Sequence, residues 1–302
     1  MIPRELRPNI YSVGAVDWDR RLFDELIPLP NGTSYNAYLI IGDEETALID
    51  TVDPKMTETL IQNLKRLNVE SINYVIANHA EQDHSGAIPQ ILKLNRDAKV
   101  ISTPRCKALL IDLLHIPEDR FITVNDGETI SLGNKTLKFI HFPWVHWPET
   151  MLTYLEEDKI LFTCDLFGSH LATSSLYIKD ESIINNAAKR YYAEIMMPFR
   201  TIINRNMKKI MSLEIELIAP SHGPIYDKPK LIIEAYMEWI SAPPKNLVLL
   251  PYISMHESTR SMVKYLIDAL IERGISVKQF NLSRTDLGEL AISLVDLSLI
   301  HI

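Results

Sequence analysis

The chain has 302 residues, room for one large domain or two ordinary ones, and its 46% hydrophobic and 23% charged residues suit a globular protein with a real core. A formal net charge of -8 argues against nonspecific binding to nucleic acid or to an anionic membrane surface, and no apolar run nears the roughly 20 residues that span a bilayer. The N-terminal stretch lacks the apolar core of a signal peptide, and two thiols, Cys106 and Cys164, cannot build a disulfide framework or a four-cysteine cluster, so a cytoplasmic protein is expected.

In chain order, residues 36–50 read as a hairpin closed by Gly42-Asp43-Glu44-Glu45. Residues 55–67 read as a helix with Met56, Leu60, Ile61, Leu64 and Leu67 on one face. Residues 72–77 form a buried strand that runs into the polar loop Asn78–Gly86. Further strands are expected at 98–102, 121–124, 129–132 and 136–142, and a hairpin at 151–163. A long helical stretch covers about 183–212, a strand 215–219 ends in Pro220-Ser221-His222-Gly223-Pro224, and a helix covers about 228–240. Ser241–Asn246 then looks like a linker, because it holds Pro243 and Pro244 between polar residues. Beyond it the pattern is a strand at 247–251, a helix at about 258–273, a strand at 275–280, a helix at about 284–293 and an apolar strand at 295–302. This βαβαβ order begins a doubly wound parallel sheet.

The strongest chemical signal is His79-Ala80-Glu81-Gln82-Asp83-His84, four potential ligands in six residues directly after a buried strand. Alternation would send His79, Glu81 and Asp83 to one side while His84 turns inward. Imidazole suits zinc, copper and iron, and carboxylates favour harder ions and can bridge two of them. His146, Asp165 and His222 each follow a strand and precede a turn. Alone, His146 beside Trp147 reads as a packed residue and Asp165 as a helix cap. With the first cluster, they make seven ligands, enough for a binuclear centre with open positions.

The order of these motifs resembles the metallo-β-lactamase superfamily, and Glu81 in the place of its usual second histidine resembles the flavodiiron proteins. The resemblance spans about residues 1–244 and implies an αββα metallo-β-lactamase-like sandwich with two irons. It implies that His79, Glu81 and His146 hold one iron, that Asp83, His84 and His222 hold the other, and that Asp165 bridges them. His170 matches a family histidine at the open face of the site. Tyr191 and Tyr192 match a segment that supplies a tyrosine there, with Tyr192 taken as the catalytic candidate beside His170. Cys164, His115 and His141 read as packing or surface residues.

Residues 245–302 resemble the N-terminal part of a flavodoxin-like FMN-binding domain. Ser254, Ser258 and Thr259 match hydroxyls of its phosphate loop, where backbone N–H groups at a helix start meet the phosphate. Glu257 stands where that loop commonly has glycine and puts a negative charge beside the phosphate. Such a domain needs on the order of 150 residues, and 58 run from Lys245 to Ile302. Weak FMN binding and no sustained turnover are therefore expected of this chain.

The resemblance implies that FMN passes electrons to the diiron site, which reduces O2 to water or NO to N2O. It implies rubredoxin or reduced F420 as donor, and a head-to-tail homodimer that brings one subunit's flavin to the other's irons. The rival reading is a binuclear zinc hydrolase of the lactamase or glyoxalase II kind, with Glu81 counting against it. A non-enzymatic electron-transfer or binding module, in which the site is structural, is the third.

Overall fold

The structure is a computed structural model that describes residues 2–241 and 243–297. Two sheets carry the first 220 residues or so. A seven-stranded sheet has the order Arg4–Arg7, Ile10–Ser12, Tyr38–Ile41, Thr46–Ile49, Tyr74–Ile76, Lys99–Ser102, Phe121–Thr123. A five-stranded sheet runs Thr129–Ser131, Thr136–His141, Met151–Leu155, Ile160–Cys164, Leu217–Pro220.

Strand alternation assigns successive side chains to opposite faces. Tyr38, Ile40, Ala47, Ile49, Ile76 and Ile101 face the second sheet and meet its Phe139, Met151, Leu155, Ile160 and Phe162. Their neighbours Leu39, Leu48, Val75 and Val100 point outward onto the helices Thr57–Arg66, Ile88–Leu94 and Pro104–Leu114. On the far side Ile140, Leu152, Leu161 and Ile218 pack under Glu181–Tyr191, Arg200–Met211 and Pro229–Ser241. The result is the expected αββα sandwich. Both faces of each sheet are covered, which is why the central strands read as nearly unbroken apolar runs.

The expected helix at 55–67 is a 3-10 turn, Pro54–Met56, followed by a helix, Thr57–Arg66; Asp53 caps the turn by accepting from the Lys55 backbone N–H. The single helix expected over 183–212 is broken. A helix Glu181–Tyr191 passes into a π-helical turn Tyr192–Met196, a 3-10 turn Met197–Phe199 and a second helix Arg200–Met211. Pro198 supplies the reason, since it has no backbone N–H and crowds the preceding turn.

After the linker, Leu247–Tyr252 pairs in parallel with Ser276–Asn281, and the helix Ser258–Ile271 makes the crossover. The helix Leu287–Leu294 packs on Glu181–Tyr191 and on the π-helical turn. The strand expected at 295–302 is not found over its described part: Val295 and Asp296 lie in a turn, and 298–302 fall outside the described residues. Among the described residues, no helix is long and apolar enough to cross a membrane.

Candidate metal centre

Strand ends of the two sheets meet at one rim. The strand Tyr74–Ile76 delivers Asn78, which is held on every side. Its backbone N–H and side-chain amide donate to the two oxygens of Asp50 at 2.8 and 2.9 Å, and its Oδ1 accepts from Thr153 Oγ1 at 2.7 Å. The next residues do not alternate as a strand. Gln82–Ser85 coils into a short helix, secured by Ser85 Oγ donating to Ala80 O at 2.7 Å and by the Thr51 N–H donating to His84 O at 2.6 Å. That turn buries Asp83 and His84 together, so the expected one-sided projection of His79, Glu81 and Asp83 is replaced by a split.

The seven predicted side chains converge in two sets. In one, Glu81 Oε2 lies 3.1 Å from His79 Nε2 and 3.2 Å from His146 Nε2, and Asp165 Oδ2 lies 3.5 Å from each of those nitrogens. In the other, Asp83 Oδ1 is 3.2 Å from His84 Nε2, and Asp83 Oδ2 is 3.2 Å from His222 Nε2. Asp165 Oδ1 approaches the same pair at 3.1 and 3.4 Å. The two oxygens of Asp165 thus divide between the two sets.

Several of these atoms have no hydrogen-bond partner despite being buried: both oxygens of Asp83, His84 Nε2, Asp165 Oδ2 and His222 Nε2. Buried carboxylates and ring nitrogens left so are costly unless something of opposite charge joins them. The 3.1–3.5 Å separations match adjacent ligands on metal bonds of about 2.0–2.2 Å. The donors are imidazole and carboxylate. Cys164 also lies near His84 and Asp165, but burial and the Asp165 charge push its thiol pKa well up, which keeps it a neutral packing group. The site fits two cations of borderline or harder character.

Electrostatics agree with the geometry. Burial alone would lower the His79 pKa, yet hydrogen bonds to Glu149 and Glu81 hold it well above the usual histidine value. His222 is pushed up to about 10 and His146 to about 9; carboxylate contacts, Asp165 first among them, outweigh burial in both. Burial opposes ionisation of Asp165 too, but His84, His146 and His222 hold its carboxyl well below the usual range. Without metal, protons on the imidazoles stand in for the cations.

A second ring of contacts fixes the first. His79 Nδ1 pairs with Glu149 Oε1 at 2.7 Å, and the same oxygen accepts the Ala80 N–H at 3.1 Å. His222 Nδ1 donates to Ser34 O at 2.6 Å. The Trp147 ring meets His79 edge-on, with centroids 5.0 Å apart. Sequence reasoning missed Glu149, although a glutamate three residues after His146 was a readable signal. It also missed Ser34, which no motif marks because a backbone carbonyl makes the contact.

His170 lies where expected, 4.9 Å from His222 ring to ring, with Nδ1 paired to Thr33 Oγ1 at 2.8 Å and Nε2 buried and unpartnered. Tyr192 is a correction. The hydroxyl that donates to Asp165 Oδ1, at 2.8 Å, belongs to Tyr191. Tyr192 turns the other way and packs on Tyr236 and Trp239. One residue along a helix rotates a side chain by about 100°, so only one of two adjacent tyrosines can face the site.

The three hydroxyl residues matched to a flavodoxin-like phosphate loop cluster elsewhere. Ser254, Ser258 and Thr259 stand at the N-terminal end of the helix Ser258–Ile271, with Ser254 Oγ accepting the Arg260 N–H at 3.3 Å. Glu257 adopts the left-handed conformation that glycine favours, at φ 60°, and its carboxylate pairs with Arg260 at 3.0 Å. That pairing offsets the charge expected to repel a phosphate.

A family model described as "ODP family beta lactamase" matches residues 33–223. The chain is 40% identical over 302 residues to a nitric oxide reductase of Moorella thermoacetica, covering 97% of this chain and 75% of that one. Among solved structures, rubredoxin oxygen:oxidoreductase of Desulfovibrio gigas superimposes with a TM-score of 0.92 at 28% identity, over 98% of this chain and 75% of that one. The flavodiiron protein of Giardia intestinalis gives 0.89 at 30% identity, over 97% and 72%.

Proposed function

The chain belongs to the flavodiiron proteins and carries their ODP-type β-lactamase-like domain, and from that premise we infer a diiron oxidoreductase that reduces O2 to water or NO to N2O. The observation that carries this reading is the split of Asp165, one oxygen toward each set of ligands. We take His79, Glu81 and His146 as ligands of one iron, Asp83, His84 and His222 as ligands of the other, and Asp165 as the bridge. Iron held by these residues would supply the redox chemistry of the reaction.

The chain's own residues do the rest. Glu149 and Ser34 orient two imidazoles. Tyr191 holds one oxygen of Asp165, and Trp147 shields His79 from water. Residues 1–244 form the metal-carrying domain in this reading, and 245–302 begin an FMN-binding one. FMN would be held at its phosphate by Ser254, Ser258 and Thr259 and would pass electrons to the irons. An external donor of rubredoxin or F420 type and a head-to-tail homodimer complete the proposal, in the cytoplasm.

The decisive measurement is elemental analysis of protein purified without oxygen after growth in iron-replete medium, followed by O2 and NO consumption. About two irons per chain and gas uptake on reduction are expected. Two tightly held zinc ions with thioester or lactam hydrolysis would sink this reading.

A further inference from the structure

A cleft of about 760 Å³ lies beside the metal centre. Its outer rim is formed by Ile183, Lys278 and Glu289, all exposed, and its inner wall by His170 and Tyr191. Those last two also border the candidate irons, through the His222 ring and the Asp165 carboxylate respectively. The cleft thus reaches from exposed residues to the side of the centre where His170 Nε2 lies buried and unpartnered. No motif accounts for it.

Glu194 lines this cleft with its side chain only 9% exposed. It sits in the π-helical turn that follows Tyr191, a kind of turn that recurs at functional sites. The helix presents Tyr191 to Asp165, and the turn presents Glu194 to the cleft. We propose that this cleft is the entry route for the protons consumed at the metal centre and that Glu194 is the group that loads them. The proposal rests on the reductase reading given above.

That chemistry requires such a route. Each O2 reduced to two waters takes up four electrons and four protons, and each pair of NO molecules reduced to N2O and water takes up two of each. The donor supplies the electrons; the protons must cross a wall of buried side chains. Glu194 gives its carboxyl proton to water in the cleft, becomes a carboxylate, and regains a proton from bulk water at the rim. The charged groups facing it are Arg190 on the helix just before it, at 3.1 Å, then Asp286 across the junction with the later segment, and Lys278 and Glu289 along the cleft. Burial raises the Glu194 carboxyl to about 7, with Asp286 adding and Arg190 opposing. A group half protonated at neutral pH both loads and releases.

The test compares the iron-loaded 302-residue chain with Glu194→Gln, each chemically reduced and mixed rapidly with O2. The variant should reoxidise about tenfold more slowly, below the ~100-fold of an acid in direct contact with the reacting atoms, because cleft water carries part of the load. The wild-type rate should fall as pH rises through about 7, and the variant should lack that limb. Glu194→Asp should restore much of it. Ala187→Phe, which adds bulk to the cleft lining and leaves the Glu194 carboxyl in place, should slow the reaction in the same way. Infrared difference spectra of the metal-free chain should show a carboxylic acid band that titrates near neutral pH and vanishes in Glu194→Gln. Equal rates and equal pH profiles in wild type, Glu194→Gln and Ala187→Phe would overturn the route while leaving the reductase reading intact. Absence of the titrating band would overturn the role of Glu194 whatever the activity. Iron-loaded wild type that takes up neither gas would overturn the reductase reading itself and the route with it.

Discussion

Glu149 reaches no metal position of its own, yet one of its oxygens fixes both the His79 ring and the Ala80 N–H. Such outer partners set ring orientation and ligand basicity, and losing one typically costs about 10–100-fold in metal affinity. Glu149→Ala should weaken iron binding by that factor in competition with a chelator, while the helices and sheets stay formed. Unchanged affinity would show that packing around Trp147 alone orients His79. A second expectation concerns the histidines. In the metal-free chain His222 is raised to about 10 and His146 to about 9, against about 6.5 in an unfolded chain. A raised histidine pKa lends stability that is complete below the unfolded value and is lost as pH climbs through the folded one. The melting temperature of the metal-free protein should therefore decline between pH 7 and pH 10. The iron-loaded form, whose imidazoles are already neutral, should not follow it. Scanning calorimetry of both forms checks this, and parallel curves would contradict it.

At the scale of elements, the centre depends on strands that stop sharply. The strand Leu217–Pro220 ends two residues before His222, and Gly223 then takes φ 82°. A Cβ at Gly223 would overlap Ser169 Oγ and crowd the Ser169 carbonyl. Left-handed strain and overpacking each cost about 1–3 kcal/mol. Gly223→Ala should lower the unfolding free energy by roughly that amount and loosen the iron on the Asp83, His84 and His222 side first. Denaturant titration with iron content measured at each step would read both effects. The other decisive element is the break after Tyr191. An unbroken helix would have carried Glu194 and Phe199 along one regular spiral. The π-helical turn and Pro198 redirect the chain just past Tyr191, which meets Asp165, and Tyr192, which joins the aromatic cluster with Tyr236 and Trp239.

Across the whole molecule, Arg190 joins three parts of the chain. It pairs with Asp286 at 2.8 Å, donates to Pro28 O at 3.2 Å and contacts Glu194 at 3.1 Å. Lys189 and Lys245 both reach Asp296, at 3.1 and 3.0 Å. The Arg190–Asp286 and Lys189–Asp296 pairs fasten the segment after the linker to the helix that ends at Tyr191. Hydrogen bonds to charged groups are worth about 1.5–3 kcal/mol when partly buried. Arg190→Ala should therefore speed amide exchange in the helix Leu287–Leu294 by about tenfold or more, the factor that ~1.4 kcal/mol represents. Exchange unchanged there would mean that apolar packing holds the junction.

Spacing alone exposed much of this. Four candidate ligands in six residues, and three more each just past a strand, picked out the seven side chains that converge, because ligand chemistry is local to a residue and strand ends are marked by where apolar runs stop. Period-two runs bounded by turns marked most strands for the same reason. The sequence also held Pro198, but the consequence of a proline inside a helical pattern depends on what the next turn packs against. The turn of Asp83 away from His79 and Glu81 and the choice of Tyr191 over Tyr192 were decided by tertiary structure. Each depends on where side chains from distant strands arrive in space. Ser34 and the cleft beside Glu194 belong to the same class: the Ser34 carbonyl meets His222 across 188 residues of sequence, a distance over which no local pattern reports, whereas Glu149 was marked by its place three residues after His146. Sequence by itself determined which groups could do the chemistry; only the packing of two sheets against each other decided which of them meet.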